Sequence, residues 1–126
     1  MKIPVFVYGT LLTGEGNWSW ALAPDVGKPA LLAGFQMIHL GGFPGIIDSE
    51  VECNPIVGEI FYCNKETLRQ LDRLEGHPTF YKRRKCTTTD GEVVFTYVYQ
   101  TRSGWFAESI IESSNWLSLR KGLQSC

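Results

Sequence analysis

The sequence contains no Cys-x-x-Cys pair: its four cysteines, Cys53, Cys63, Cys86 and Cys126, are widely and irregularly spaced. That spacing argues against the usual zinc and dithiol motifs and is read as four free thiols. There is no apolar run near the roughly 20 residues that a membrane-crossing helix needs. There is no surplus of charge either, with 12 Lys and Arg against 13 Asp and Glu and a net charge of −1. A balance of this kind offers no global attraction to nucleic acid or to a membrane surface. Histidine is scarce, and His39 sits in a strand pattern with no partner at ligand spacing, as a structural hydrogen-bonding residue would. No Ser/His/Asp or Cys/His nucleophile set, no internal repeat and no low-complexity segment is found.

What is present is a folding composition. At 126 residues with 44% hydrophobic and 13% aromatic content, the chain suits a single domain spanning 1–126 with its own core. Met1-Lys2-Ile3-Pro4 runs directly into a strand pattern, so the expectation is a cytoplasmic protein without a leader. The stretch that organises the rest is Val5-Phe6-Val7-Tyr8-Gly9-Thr10-Leu11-Leu12. A β-branched and aromatic run breaking into Gly-Thr reads as a buried strand that opens into a tight loop. Backbone freedom at Gly9 would let successive N–H groups converge on one point and form a small anion-binding nest.

Further along, Trp18, Ala21 and Leu22 have helical spacing ending before Pro24, with Asn17 as a candidate cap. Ala30 to Leu40 reads as one strand bent at Gly34. Ile46 to Asp48 and Ile56 to Tyr62 read as a hairpin around the polar loop Ser49 to Pro55. Glycines inside strands, Gly58 among them, suggest a tightly curled sheet. The clearest helix runs from Asn64 to about Glu75, with Asn64 as N-cap, Leu68, Leu71 and Leu74 on one face, and Gly76 then Pro78 as the stop. Glu75 therefore occupies the carbonyl end of a helix, where partial negative charge and apolar neighbours raise a carboxyl pKa toward that of a base working near neutral pH.

Phe80 to Thr89 and Glu92 to Thr101 form a hairpin around Asp90-Gly91. Its basic run Lys82 to Lys85 is divided between two faces, a poor stripe for nucleic acid. Gly104 to Ile111 reads as a connector, and Ser113-Ser114-Asn115 caps a last helix from Trp116 to about Lys121, closed by Gly122. One base, one anion nest and no nucleophile suit a substrate that carries its own nucleophile.

These features together resemble the gamma-glutamylcyclotransferase-like superfamily, most closely its gamma-glutamylamine cyclotransferase and avirulence-induced-gene-like members. The resemblance rests on Val5 to Leu11 with Asn17 following, Phe43-Pro44, Val57-Gly58-Glu59-Ile60, Leu71 to Pro78 through Tyr81 and Arg83, and Ser113 to Trp116. Family members often carry Tyr where Phe43 stands, a basic residue where Thr13 stands and Asp where Asn115 stands. The resemblance implies an α+β fold, a small mixed β-barrel flanked by short helices. It implies that Tyr8, Gly9, Thr10 and Leu11 hold a γ-glutamyl group, with Asn17 and Tyr81 in the same substrate site, and that Glu75 acts as acid and base. The reaction so implied forms 5-oxoproline from a small-molecule γ-glutamyl substrate with no metal or other cofactor, no nucleic acid and no membrane. Walls from Trp18 to Leu22, Phe43 and the last helix would select the leaving amine. The alternative is a non-catalytic metabolite-sensing or protein-interaction module on the same fold.

Overall fold

A computed structural model of the chain describes residues 2–100 and 110–119. The first strand, β1 (Ile3–Val7), is followed by a short helix α1 (Gly16–Ala21) and strands β2 (Lys28–Leu32), β3 (Phe35–His39), β4 (Pro44–Asp48) and β5 (Ile56–Cys63). Helix α2 (Lys65–Leu74), β6 (Tyr81–Thr87), β7 (Val93–Tyr99) and β8 (Ile110–Ile111) complete the order. Five strands form one sheet in the order β2-β5-β1-β7-β6, and three form a second in the order β4-β3-β8. No helix among the described residues is long and apolar enough to cross a membrane.

β1 lies at the centre because both of its faces are apolar. Phe6, together with Tyr8 just past the strand, packs with Met37, Ile46 and Ile111 of the second sheet. Val5 and Val7 face the other way, onto Leu68 and Leu71 of α2. The strand pairs antiparallel with β5 along its full length and parallel with β7 at Val5 and Phe95. Thr96 adds a buried hydroxyl bond to the Phe6 carbonyl, 3.1 Å. Strand alternation thus puts one core above the sheet and another below it.

The mixed α+β class is as the sequence implied, but no closed barrel forms among the described residues: the strands divide into two sheets. One bond from the Thr89 amide to the Leu31 carbonyl, 2.9 Å, spans the outer strands without a ladder. The division begins at Gly34. The expected single strand from Ala30 to Leu40 is two strands in different sheets, because Gly34 takes a φ of 91° and redirects the chain. Likewise β4 and β5 are not a hairpin. β4 pairs with β3 around the Leu40–Phe43 turn, while β5 crosses over to lie between β2 and β1. Burial decides that choice, since Ile56, Gly58 and Ile60 fill the inner face of the larger sheet.

The β6–β7 hairpin closes where the Thr88 amide donates to the Glu92 carbonyl at 2.8 Å, so its loop is the three residues Thr89-Asp90-Gly91 rather than Asp90-Gly91 alone, with Gly91 at φ 92°. Its two central arginines are bound on opposite faces, Arg83 to Asp72 of α2 and Arg84 to Asp48 of β4. α2 has the expected N-cap, Asn64 Oδ1 accepting from the Thr67 amide at 2.8 Å. The cap position of α1 falls to Glu15 rather than Asn17, because the Asn17 amide turns back to the Thr10 hydroxyl. Of the supposed connector, Ile110 and Ile111 pair with β3. Residues 116–119 are helical and capped by Asn115, whose Oδ1 accepts from the Ser118 amide. The rest of the connector, the end of that helix at Lys121 and Gly122, and Cys126 lie outside the described residues. Cys53, Cys63 and Cys86 are free thiols.

Gly58 is needed for close approach rather than for a bend. A Cβ there would stand 2.2 Å from the Val7 carbonyl oxygen and 2.6 Å from the Phe6 ring. Because the obstacle is the backbone of the central strand, Gly58→Ala is expected to lower unfolding stability by roughly 2 kcal/mol or more. Urea denaturation of the variant against the unaltered chain measures this, and an unchanged midpoint would contradict it.

Candidate active site

A cavity of about 220 Å³ opens where β1 ends, enclosed by residues from both sheets and from the end of α2. It is lined by Tyr8, Gly9, Thr10, Leu11, Asn17, Glu75 and Tyr81, so the residues expected to hold the substrate and move its proton line one space. Phe6, Val7, Phe43, Pro44, Leu74, Phe80 and Tyr97 complete its wall. This volume lies below the roughly 300–1,000 Å³ of drug-sized ligand pockets and suits a small metabolite.

The loop after β1 is shaped by where its carbonyls go. The Gly9 carbonyl accepts from the Leu12 amide at 3.0 Å, and the Thr10 carbonyl from the amides of Asn17 and Trp18 at 3.0 and 3.1 Å. The Asn17 side chain holds the Thr10 hydroxyl at 2.8 Å. Behind the loop, Glu59 accepts from the Thr13 amide and hydroxyl, both at 2.8 Å. With the carbonyls so engaged, the amides of Gly9, Thr10 and Leu11 donate to no partner among the described residues. Three successive amides without acceptors are what an anion-receptive loop needs. Gly9 earns its place differently from expectation. It is not among the glycines with positive φ, but a Cβ would meet the Pro44 ring at 2.8 Å. Glycine lets the loop touch β4.

Glu75 is placed by the way α2 stops. The Gly76 amide donates to the Arg73 carbonyl at 3.2 Å and the His77 amide to the Asp72 carbonyl at 2.9 Å, with Gly76 at φ 66°. This is the paired bonding of a Schellman stop. The Glu75 amide still bonds to Leu71 at 2.9 Å, so its backbone is fixed on both sides. The residue is half-buried overall, yet its carboxyl is enclosed enough that desolvation pushes its pKa from 4.5 up to about 7. Burial, one of the two causes the sequence suggested, accounts for this shift. The last carbonyls already accept the Schellman bonds, which blunts their field at the side chain.

Asp72, one turn earlier, has the opposite surroundings. It accepts from the Tyr97 hydroxyl at 2.7 Å and from Arg83. The Arg83 amide in turn donates to His77 Nδ1 at 2.9 Å. Three tyrosines surround the cavity with their hydroxyls committed. Tyr8 donates to the Tyr97 carbonyl and Tyr81 to the Pro44 carbonyl, each at 2.6 Å. Burial, and then the neighbouring Tyr81 and Glu75, raise the Tyr8 pKa. Burial and then Glu75 raise that of Tyr81, and burial with the Asp72 bond raises that of Tyr97. All three are neutral phenols near pH 7, which leaves Glu75 as the group in the cavity that titrates there.

Tyr97 and Phe80 were not singled out for the site from sequence. Tyr97 reads as one more core position in an alternating strand, and only the packing of β7 against α2 brings it to the cavity. Phe80 carried a weak signal, an aromatic directly after the Gly76 to Pro78 stop. Of the expected selective walls, Phe43 lines the cavity, whereas residues 18–22 and the last helix do not. Trp20 is largely exposed, its indole donating to Asn17 at 3.2 Å.

A family model described as "Gamma-glutamyl cyclotransferase, AIG2-like" matches residues 5–118. A Vibrio cholerae protein, provisionally named a gamma-glutamylcyclotransferase, is 32% identical over 92% of this chain and 96% of its own length. A gamma-glutamylcyclotransferase family protein of Citrobacter rodentium is 31% identical over 90% and 94%. Among solved structures, an AIG2-like protein from Mus musculus superposes with a TM-score of 0.64 over 91% of this chain and 88% of that one, at 23% identity. The structural likeness concerns the fold, while the family match covers the whole stretch from β1 to the last helix, and on that ground the chain belongs to the AIG2-like gamma-glutamyl cyclotransferase family.

Proposed function

We propose that the chain is a γ-glutamyl cyclotransferase of the γ-glutamylamine type, converting a small γ-glutamyl amide into 5-oxoproline and a free amine. The observation that carries this reading is the pairing, across one cavity, of a carboxyl with a pKa of about 7 and three amides without acceptors. The amides of Gly9, Thr10 and Leu11 would hold the substrate's α-carboxylate, and Asn17 would keep their loop in shape. The α-amine nitrogen then attacks the γ-carbonyl carbon, a carbon–nitrogen bond closes the five-membered ring, and the original amide carbon–nitrogen bond breaks. Glu75 takes the proton lost by the attacking nitrogen and delivers it to the departing amine, so that no water is consumed. Both reacting groups belong to one molecule, and orientation alone can supply up to roughly 7 to 11 kcal/mol in well-aligned cases.

Several features support these roles. Glu75 has no ion-pair partner among the described residues, so its proton is available to a ligand. The hydroxyls of Tyr8 and Tyr81 are tied to backbone carbonyls, which suits walls that position a substrate without competing for its proton. The family membership points to the same reaction.

Glu75→Gln is expected to lower 5-oxoproline release from γ-glutamyl amides by about a hundredfold or more, the usual range for removing a general acid–base group. Equal turnover by the two proteins would overturn the assignment, and turnover by neither, with tight binding by both, would favour the non-catalytic module. For the active protein, kcat/KM should fall tenfold per pH unit below about pH 7, as Glu75 becomes protonated. A pH profile of initial rates reads this directly.

The same shift has a stability consequence. The folded pKa of Glu75 is raised, so its protonated form is favoured by folding. The associated stability is fully present below about pH 4.5 and is lost as pH rises through about 7. Glu75→Gln removes the ionisable group, and should therefore melt above the unaltered chain at pH 8, with the gap closing toward pH 4.5. Thermal unfolding at the two pH values checks the sign.

A further inference from the structure

Helix α1 grips the loop after β1 at Thr10. The Thr10 carbonyl accepts from the amides of Asn17 and Trp18 at 3.0 and 3.1 Å, and the Thr10 hydroxyl accepts from Asn17 Nδ2 at 2.8 Å. The other side of the Asn17 amide is occupied as well, its Oδ1 accepting from the Trp20 indole at 3.2 Å. Residues three apart on a helix are neighbours, so the geometry of α1 itself brings this indole to Asn17. Packing gives Trp20 no comparable reason to be there. Trp18 packs against the core beside α2, whereas Trp20 is 61% exposed and does not line the cavity.

The row of bonds from Trp20 to Thr10 has a polarity that chemistry fixes. An indole N–H donates and cannot accept, so the Asn17 atom facing it is the oxygen. The amide nitrogen then faces Thr10, and because it can only donate, the Thr10 hydroxyl is the acceptor. A hydroxyl that accepts on one side keeps its own hydrogen for a different partner. Among the described residues no acceptor takes that hydrogen, and Thr10 lines the cavity. The hydroxyl is therefore a donor alongside the amides of Gly9, Thr10 and Leu11. With the Asn17 amide turned over, its oxygen would face Thr10, the hydroxyl would donate to it, and a ligand would lose that bond.

We propose that Trp20 is a positioning residue for this loop, its indole N–H holding the Asn17 amide in the one orientation that leaves the Thr10 hydroxyl donating to the carboxylate of a bound ligand. The assignment rests on the cyclotransferase reading above, in which that carboxylate is the α-carboxylate of a γ-glutamyl amide. An exposed residue outside the cavity thereby contributes to affinity. It does so equally in the ground state and the transition state, because the α-carboxylate takes no part in ring closure, so its loss raises KM and spares kcat.

Two measurements test this. One is turnover of γ-glutamyl methylamide. The other is calorimetric binding of glutaric acid monomethylamide, which keeps the carboxylate but lacks the α-amine and cannot cyclise. Trp20→Phe keeps an aromatic ring and removes the N–H, and is expected to raise KM and the dissociation constant about three- to tenfold, the range for one neutral hydrogen bond, with kcat unchanged. In a Thr10→Val background there is no hydroxyl to orient, and the same change should have no effect. In a Thr10→Ser background it should keep its full effect. Asn17→Asp presents two acceptors and draws the hydroxyl to itself, so it should weaken binding more beside Thr10 than in Thr10→Val, where its added charge acts alone. Turnover with equal effects of Trp20→Phe beside Thr10 and in Thr10→Val, or with a fall in kcat in place of a rise in KM, overturns the role of Trp20 and leaves the cyclotransferase standing. Calorimetric coupling between positions 20 and 10 without turnover by the unaltered chain overturns the cyclotransferase and retains the role of Trp20. Absence of both turnover and coupling overturns both.

Discussion

The burial of β1 on both faces is the constraint from which the rest of the structure follows. Val5 and Phe6 are fully buried neighbours that point to opposite sides, so the strand can only be central, with a second sheet over one face and a helix over the other. Each cover then supplies part of the site. The second sheet brings Phe43 and Pro44 to the end of β1, and α2 brings Glu75. Gly58 and Gly9 permit this closeness, one letting β5 lie against Val7 and the other letting the loop lie against Pro44. The cavity is thus the gap left where three layers meet at a strand end.

Two carboxylates on one helix acquire different characters within a single turn. Asp72 is bonded by a tyrosine hydroxyl and a guanidinium. Glu75, three residues on, meets apolar neighbours and no cation, and burial raises it to about 7. The first carboxylate fastens β6 and β7 to the end of α2, and the second is left able to exchange a proton. Because Tyr97 bonds to Asp72 through its hydroxyl and accepts from Tyr8 through its carbonyl, the fastening also holds the wall opposite the loop.

Local features of the sequence were read well because they depend on local chemistry. Asn64, the leucines of α2 and Gly76 act through neighbours within a few residues, and each does in the structure what its position implied, whereas the Asp90-Gly91 turn takes in Thr89 as a third loop residue. The partition of strands between sheets was not legible. Nothing between Ala30 and Leu40 distinguishes a bulge at Gly34 from a corner, and only burial of Met37 and Leu32 in their sheets decides it. The residues of the candidate site were found from sequence because strand ends, helix stops and a family pattern mark them. Tyr97 escaped since its site face and its core face are the same side of β7.

The division of labour within the cavity follows from the chemistry asked of it. The proposed intramolecular ring closure needs no protein nucleophile; it needs the substrate held bent and one proton moved. Fixed amides suit the first task because they cannot titrate, and their orientation is set before the ligand arrives. The second task needs a group that is poised near neutrality, and tyrosines raised by burial stay out of competition. Desolvation is the largest cause of the raised pKa values both of the phenols and of the carboxyl. It lifts the phenols beyond reach while lifting the cavity's carboxyl into range, and the destabilisation of ionised Glu75 above pH 7 is the energetic counterpart of the base role proposed for it.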